Sequence, residues 1–290
     1  FLLSGGKSEK INNAKIPYLI FSDHKRYWNI FKPICDEFEK RSIDLVYWTA
    51  SPDDSALSEK YEHIKVEFIG TGNKAFARLN MLNAGIVLST TPGLDVLQWK
   101  RSKTVDRYIH ILHAVDDPSS YRMFGLDFYD SVLLSGSYQI EQIRYLEQKR
   151  NLKEKELSVV GCPYMDTMFE RLKNTTQENQ EKFTVLLAPS WGASGILTKY
   201  GSKILDALIS TGFKIIVRPH PQTLISEKNI IEPLIKKYPN SENFFWNYDN
   251  DNFNVLNSSD ILITDFSGII FDYSLIFDRP LIYADTSFDT

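Results

Sequence analysis

The sequence of 290 residues is long enough for about two domains of the usual ~150 residues each. Hydrophobic residues make up 43% and charged residues 24%, which is typical of a globular protein and excludes a disordered chain, and no apolar run approaches the ~20 residues that cross a bilayer. The net charge of -4 argues against general nucleic-acid binding, because contact with phosphates requires a basic surface.

The cysteines do not indicate a disulfide framework or a zinc site. Cys35 and Cys162 are the two cysteines of the chain, and they are far apart and in no metal-ligand spacing. The adjacent acids Asp116 and Asp117 have no third ligand that the sequence places beside them. We therefore expect reduced thiols, a cytoplasmic protein and no metal.

In the first half of the chain, apolar runs of strand length alternate with amphipathic stretches. This pattern predicts helices at residues 26–40, from residue 73 onward and at 138–148. The predicted strands are residues 18–21, 43–48, 64–69, 84–88, 108–112, 132–134 and 157–160.

A polar stretch, KNTTQENQEK at residues 173–182, interrupts the pattern and is the best domain boundary in the chain. We therefore predict domains at residues 1–175 and 176–290. Beyond the boundary the pattern predicts helices at 200–210, around 230–235 and after residue 267. The predicted strands are residues 184–188, 214–217, 244–246, 261–263 and 281–283.

Strands that alternate with helices through both halves predict an α/β protein with two doubly wound, Rossmann-like parallel-sheet domains. Ligands of such sheets bind outside the carboxyl ends of the strands, so the polar residues that follow strands are the candidates for a site. Two such domains facing a central cleft bring these residues together. The strand-end clusters are His113 with Asp116 and Asp117, Ser190 to Gly192, Arg218 to Pro221, and Thr264 to Gly268.

Two of these clusters indicate an anion site. In the RPHP motif, two prolines restrict the backbone around His220, and Arg218 supplies a guanidinium that binds phosphate in a fork geometry. Ser267 and Gly268 form a turn between a predicted strand and a predicted helix, and the first backbone N–H groups of that helix attract anions. For His113, a ligand contact and a packed side chain are equally consistent with its position, whereas His110 lies inside the strand and is expected to pack.

Several common nucleotide and hydrolase motifs are absent from the sequence. It contains no GxxxxGK[ST], no GxGxxG and no GxSxG. The phosphate site is therefore not that of a P-loop ATPase or a dinucleotide dehydrogenase, and a serine hydrolase is disfavoured.

Five motifs together resemble the CDP-glycerol glycerophosphotransferase family, which includes the teichoic-acid primases and polymerases and their capsule-polymer relatives. The resemblance covers roughly residues 105–285, and the motif near the C-terminus is the most specific. The motifs are YDSVLLSGS (129–137), VVGCPYMD (159–166), APSWG (188–192), RPHP (218–221) and SDILITDFSGIIFDYSLIFDRPLIY (259–283).

The resemblance implies a GT-B-like architecture, in which the C-terminal domain binds a CDP-linked donor and the acceptor approaches the N-terminal domain. The family's two essential histidines fall on His113, as general base, and His220. With the strand-end clusters, the expected donor contacts are Arg218, Ser190, Thr264, Ser267, Gly268 and Asp272. The donor is a substrate, and no cofactor is expected.

The implied reaction moves a polyol phosphate to a hydroxyl of a cell-surface polymer or lipid-linked primer, which implies a peripheral position on the inner face of the membrane. The family usually shows HGTP where this chain has HAVD, at residues 113–116. Two alternatives therefore stay open: a GT-B glycosyltransferase or epimerase that uses a UDP- or CMP-linked sugar, and a catalytically inactive nucleotide-binding subunit. The chain stops just after a strand, so we also expect a C-terminal domain that is truncated.

Overall fold

The structure, a computed structural model, describes residues 14–121, 124–175, 182–249 and 251–286. It contains two parallel sheets, of seven and five strands, and divides into two compact units, Phe1–Pro163 and Tyr164–Thr290. Each unit has its own sheet and its own hydrophobic core. The prediction of two doubly wound α/β domains is confirmed.

The first unit contains all seven strands that the pattern predicts. They are β1 (Ile16–Ser22), β2 (Leu45–Thr49), β3 (Ile64–Phe68), β4 (Asn83–Ser89), β5 (Thr104–Ile111), β6 (Ser131–Leu134) and β7 (Glu156–Val159). The helices are α1 (Trp28–Lys40), α2 (Asn73–Asn80) and α3 (Tyr138–Arg150). The strand order is β3-β2-β1-β4-β5-β6-β7, so the direction of winding reverses between β1 and β4.

The register of the central strands determines which loops meet at the carboxyl edge of this sheet. Phe21 of β1 pairs with Ser89 of β4, and Ser89 pairs with His110 of β5. The residues that follow these three strands therefore share one edge, next to the reversal in strand order. This is the place where open parallel sheets bind their ligands.

The second unit contains the five predicted strands and more helices than the pattern predicts. The strands are β8 (Thr184–Leu187), β9 (Lys214–Val217), β10 (Phe244–Trp246), β11 (Ile261–Thr264) and β12 (Leu281–Tyr283). The helices are α4 (Pro163–Lys173), α5 (Ile196–Tyr200), α6 (Ser202–Ser210), α7 (Thr223–Ser226), α8 (Lys228–Lys237), α9 (Phe253–Asn257) and α10 (Ile269–Ile276). The order is β10-β9-β8-β11-β12, with the reversal between β8 and β11.

The helix that we predicted at residues 200–210 begins earlier and is broken in two. Gly201 separates α5 from α6 and has a φ of +46°, a left-handed value that glycine adopts without a Cβ penalty. The short helices α5, α7 and α9 have four or five residues each, too few for a helical period to emerge from the sequence.

The central strand β8 shows why both faces of the second sheet are covered. Val185 and Leu187 belong to the core that includes α6 and α8, whereas Leu186 belongs to the core that includes α9 and α10. Successive side chains of a strand point to opposite faces, and here all of them are buried. The continuous apolar run of β8 is therefore the expected pattern for a parallel strand between two layers of helices.

Helix α4 precedes the polar stretch at residues 173–182 but lies in the second compact unit. Met168 of α4 is 1% exposed and packs in the same core as Leu262 and Tyr273. Residues 176–181 lie outside the described part of the chain, and the predicted boundary after residue 175 stays a prediction. None of the described helices has the length and apolar character that crossing a bilayer requires.

Truncation of Leu262 should test the core of the second unit. Leu262 is fully buried in β11, so Leu262→Ala is expected to lower the free energy of unfolding of this unit by about 2 to 5 kcal/mol. The control is Ile282→Ala in neighbouring β12, where the side chain is 50% exposed and the loss should stay below about 1 kcal/mol. Urea denaturation measures both, and equal losses would contradict the assigned core.

Candidate functional site

A cavity of about 160 Å³ lies at the carboxyl edge of the second sheet, where the loops after β8, β9 and β11 meet. Four of the eight predicted site residues line it: Arg218, His220, Ser267 and Asp272. Asn252, which no sequence motif indicated, lines it as well. The cavity adjoins the β8–β11 reversal, which is the ligand position of a doubly wound sheet.

The imidazole of His220 is oriented by the backbone of its own loop. The N–H of Gln222 donates to His220 Nδ1 at 3.1 Å, and the N–H of Thr223 donates to the His220 carbonyl at 2.9 Å. Because Nδ1 accepts a hydrogen bond, the neutral ring carries its proton on Nε2. His220 is thus suited to donate a hydrogen bond to a phosphate oxygen.

Arg218 adds a positive charge to the same cavity. Its guanidinium donates to Asn247 Oδ1, and burial lowers the pKa of Arg218 while Asp249 and other nearby groups oppose that shift. An arginine remains cationic at neutral pH in spite of such a shift. Because the guanidinium has five N–H donors, the bond to Asn247 leaves others for a ligand.

Asp272 forms a hydrogen-bonded cluster with Tyr164 and Asn252. Tyr164 Oη and Asn252 Nδ2 each lie 3.0 Å from Asp272 Oδ2 and donate to it, and Tyr164 Oη is also 2.9 Å from Asn252 Oδ1. Burial raises the pKa of Asp272 to about 6, and the two donors oppose this shift. The carboxyl group is therefore held in one orientation on the wall of the cavity.

The loop between β8 and α5, residues 188–195, is fixed by two carboxylates. Asp265, fully buried after β11, accepts the N–H of Ser190 at 2.7 Å and the N–H of Ile196 at 2.9 Å. Glu227 accepts the N–H of Gly192 at 3.1 Å. Trp191 is 45% exposed on this loop, and its ring centroid lies 6.3 Å from that of His220. The sequence placed Asp265 in the cluster Thr264 to Gly268 without indicating this role, and it did not indicate Glu227, because neither contact is local in the chain.

The other three predicted residues of this domain lie beside the cavity. Thr264 is fully buried, and its hydroxyl donates to the carbonyl of Ala188 at 2.7 Å, which links the ends of β8 and β11. Ser190 is 8% exposed and contributes its N–H to Asp265. Gly268 precedes α10, whose first turn has no side-chain cap, and a Cβ at this glycine would meet nothing within 4 Å. Their contact with a nucleotide stays a prediction.

In the first unit, His113 follows β5 at the carboxyl edge of the seven-stranded sheet. Its Nδ1 lies 3.0 Å from Thr90 Oγ1, and the hydroxyl of Tyr121 is 3.1 Å away from the same nitrogen. The ring of Tyr27 packs at 5.1 Å between centroids. Burial, with a contribution from the charge of Arg26, lowers the pKa of His113 to about 4. The ring is therefore neutral at physiological pH.

The residues after His113, where the chain has HAVD, are tied to the beginning of α3. The carbonyl of Ala114 accepts from Ser135 Oγ at 3.1 Å, and the carbonyl of Asp116 accepts from Gln139 Nε2 at 2.9 Å. The carbonyl of Val115 accepts from Tyr138 Oη. Side-chain donors thus hold this loop in place without the glycine and threonine of HGTP.

His110 packs inside the sheet, as its position in the strand predicts. It is fully buried between the rings of Tyr121 and Tyr129, at centroid distances of 5.6 and 4.9 Å. Neither ring nitrogen has a hydrogen-bond partner among the described residues, and burial lowers the pKa of His110 to about 3. Nor do the described ranges contain a group of three or more His, Cys, Asp or Glu that could hold a metal ion.

Two doubly wound sheets, with a cationic cavity at the strand reversal of the second and a histidine at the carboxyl edge of the first, are the features of a GT-B-like protein that binds a nucleotide. The model of the family CDP-Glycerol:Poly(glycerophosphate) glycerophosphotransferase matches residues 13–290. The chain belongs to this family and is a transferase that uses CDP-glycerol and a cell-wall polymer. The resemblance seen in the motifs is thereby confirmed.

Solved structures with the same fold share little sequence with this chain. The wall teichoic acid polymerase TagF, as a variant soaked with CDPG, has a TM-score of 0.59 and 18% identity over 96% of this chain and 72% of its own. A putative UDP-N-acetylglucosamine 2-epimerase from Listeria monocytogenes has a TM-score of 0.57 and 13% identity, covering 92% and 78%. S. aureus MnaA with UDP has a TM-score of 0.57 and 13% identity, covering 92% and 79%. No curated protein matches the chain.

The raised pKa of Asp272 predicts a pH-dependent cost to stability. The folded state binds the proton of Asp272 more tightly than the unfolded state, whose carboxyl has a pKa near ~3.9. Its stabilising contribution is present below about pH 4 and is lost as the pH rises through about 6. The unfolding free energy of Asp272→Asn minus that of the wild type should therefore rise by about 1 to 3 kcal/mol as the pH rises from about 4 to about 8.

Urea denaturation at several pH values within this range measures the difference between the two proteins. Asp166→Asn, on an exposed position of α4, removes the same charge and serves as the control. A difference between Asp272→Asn and the wild type that does not change with pH would contradict a raised pKa.

Proposed function

We propose that this chain transfers glycerol phosphate from CDP-glycerol to a hydroxyl of a cell-surface polymer or of its lipid-linked primer. The observation that carries the proposal is the cavity that brings Arg218, His220 and Ser267 together at the sheet reversal. Cationic and N–H donor groups around one small volume suit a pyrophosphate. Family membership supplies the identity of the nucleotide.

On the donor side, the groups in the cavity stabilise the negative charge of the pyrophosphate. The guanidinium of Arg218 and the Nε2–H of His220 bind the pyrophosphate oxygens, and the N-terminus of α10 after Ser267 adds backbone donors. The same contacts stabilise the negative charge that develops on CMP as it leaves. Asp272, held by Tyr164 and Asn252, contacts the donor at the wall of the cavity.

On the acceptor side, His113 is the general base. We assign the proton of the neutral ring to Nδ1, which faces the hydroxyl oxygens of Thr90 and Tyr121 and donates to them in this tautomer, so that the lone pair of Nε2 acts as base. The acceptor oxygen attacks the β-phosphorus of CDP-glycerol, its proton passes to Nε2, and the bond between the β-phosphorus and CMP breaks. General-base help of this kind typically contributes about 10² to 10⁴-fold to the rate.

The partners follow from this chemistry. The donor is a substrate, and we propose that the reaction uses no resident cofactor. A lipid-linked acceptor places the enzyme at the inner face of the membrane, and the proposed location is the cytoplasmic side. No observation favours a UDP- or CMP-linked sugar as the donor, or an inactive subunit.

The direct test is to supply CDP-glycerol and a glycerol phosphate acceptor to the purified chain. We expect release of CMP in equal amount to the glycerol phosphate that is added to the acceptor, and greater thermal stabilisation by CDP than by UDP, because the tighter ligand shifts the folding equilibrium further. CMP release that never exceeds background would disprove the proposed activity, and turnover of UDP-N-acetylglucosamine would establish the alternative.

Substitution of His113 separates its catalytic role from donor binding. His113→Ala should lower the transfer rate by about 10² to 10⁴-fold, while the affinity for CDP-glycerol stays within about twofold, because the base acts on the acceptor. His63→Ala, in a side chain 32% exposed beside Asp44, is the control. Unchanged transfer in His113→Ala would rule out His113 as the base.

Thr90→Val tests how His113 is oriented. The substitution keeps the shape of the fully buried Thr90 and removes its hydroxyl, so we expect kcat to fall about 5- to 10-fold, the value of one hydrogen bond, with little change in the KM for CDP-glycerol. Thr90→Ser should restore most of the rate. Equal rates for the valine variant and the wild type would show that Thr90 does not position His113.

A further inference from the structure

Asp23 follows β1 at the carboxyl edge of the first sheet, beside the reversal between β1 and β4. The backbone on both sides of it is held, because Ser22 Oγ donates to the carbonyl of His24 at 3.0 Å and His24 Nδ1 accepts the N–H of Arg26. Within the described residues, the buried Oδ1 of Asp23 has no hydrogen-bond partner. A carboxylate oxygen without a donor is costly, so this atom is one that a ligand would complete.

At the same edge of the sheet, a second buried side-chain oxygen also lacks a hydrogen-bond partner among the described residues. Thr91 Oγ1 has no hydrogen-bond partner in the described part of the chain, although the carbonyl of Thr91 accepts from Tyr129 at 2.5 Å. Thr91 follows β4, which pairs with β1. Both strands that flank the reversal therefore end in a buried oxygen whose hydrogen-bonding capacity is unused.

Asp23 and His113 share this edge of the sheet. The register places the ends of β1, β4 and β5 side by side, and the ring of Tyr27, four residues after Asp23, lies 5.1 Å from that of His113. Burial raises the pKa of Tyr27, and the negative charge of Asp23 adds to this rise, which places the carboxylate within electrostatic range of the tyrosine. A ligand that contacts Asp23 is thus bound at the same edge of the sheet as the proposed base.

The chemistry of a carboxylate restricts what the ligand is. A carboxylate accepts hydrogen bonds and, when ionised, repels phosphate, so among the groups of a polyol phosphate acceptor its partner is a hydroxyl. The growing end of a polyol phosphate carries adjacent hydroxyls, of which one attacks the donor while the next is free to bind. A carboxylate beside the base suits that second hydroxyl.

We propose that Asp23 is an acceptor-binding residue whose Oδ1 accepts a hydrogen bond from the hydroxyl next to the attacking one. It selects the free diol end of a glycerol phosphate chain and holds the attacking oxygen at His113. This inference rests on the proposed function, since it assumes a hydroxyl-bearing acceptor. Thr91 Oγ1 is a further contact for the same diol.

The test measures binding of two synthetic acceptors to the full chain by calorimetry, without CDP-glycerol. One probe is a short glycerol phosphate oligomer with a terminal diol. The other, the deoxy probe, is the same oligomer in which hydrogen replaces the hydroxyl next to the attacking one. Asp23→Asn should weaken binding of the diol probe by about 10- to 100-fold, the value of a hydrogen bond to a charged group. It should leave the deoxy probe and CDP-glycerol unaffected.

Asp44→Asn is the matched control, because Asp44 precedes β2 at the opposite edge of the sheet and its side chain is 86% exposed. The proposal is overturned if Asp23→Asn binds the diol probe as tightly as the wild type, or if Asp44→Asn shows the same loss. Should Asp23→Asn fail to fold, the wild type alone decides: equal affinity for the diol and deoxy probes overturns the proposal.

The two proposals fail separately. A wild-type chain that binds the diol probe better than the deoxy probe but releases no CMP from CDP-glycerol disproves the transfer reaction and leaves the diol site standing. A chain that releases CMP and transfers glycerol phosphate, yet does not distinguish the two probes, keeps the reaction and removes Asp23 from it.

Discussion

The buried carboxylate of Asp265 holds together the two strand ends around which the cavity of the second unit forms. It accepts backbone N–H groups from both ends of the loop after β8, while the preceding Thr264 bonds to Ala188 across the sheet. Removal of the carboxylate would leave two buried donors without an acceptor, which is costlier than the loss of one surface contact. The position of the Ser190–Trp191 segment relative to Arg218 and His220 thus depends on one side chain that lies outside the cavity lining.

The same organisation appears in simpler form in the first unit. There the loops after β4 and β5 meet through Thr90 and His113, and the loop after His113 is fixed by side chains from the start of α3. In both units the parallel register brings loops that are distant in sequence to one edge. Hydrogen bonds between those loops then set the orientation of each candidate side chain. The sheet therefore determines where these side chains lie, and the loop contacts determine which way they point.

The twelve strands were predictable because each is a short apolar run between turn residues. A parallel strand that is buried on both faces reads as a continuous apolar run, which differs from the period of an amphipathic helix. The groups that follow strands were predictable for the same reason, which is how Arg218, His220 and Ser267 came to be selected, whereas Asp272 in α10 was selected from the family resemblance. Tyr164 and Asn252 were not selected, and the role of Asp265 within its strand-end cluster was not predicted. Their contacts join residues that are 20 to 108 positions apart in sequence, and no local pattern encodes such contacts. Short helices such as α5 and α9 were missed because five residues do not reveal a helical period.

The low pKa of His113 bears on repeated turnover. A base that binds protons weakly also releases them readily, so in the role that we propose for His113 the imidazolium formed in one transfer gives up its proton readily. The packing of this histidine beside the rings of Tyr27 and Tyr121 thus favours the return of the proposed base to its neutral form after a transfer.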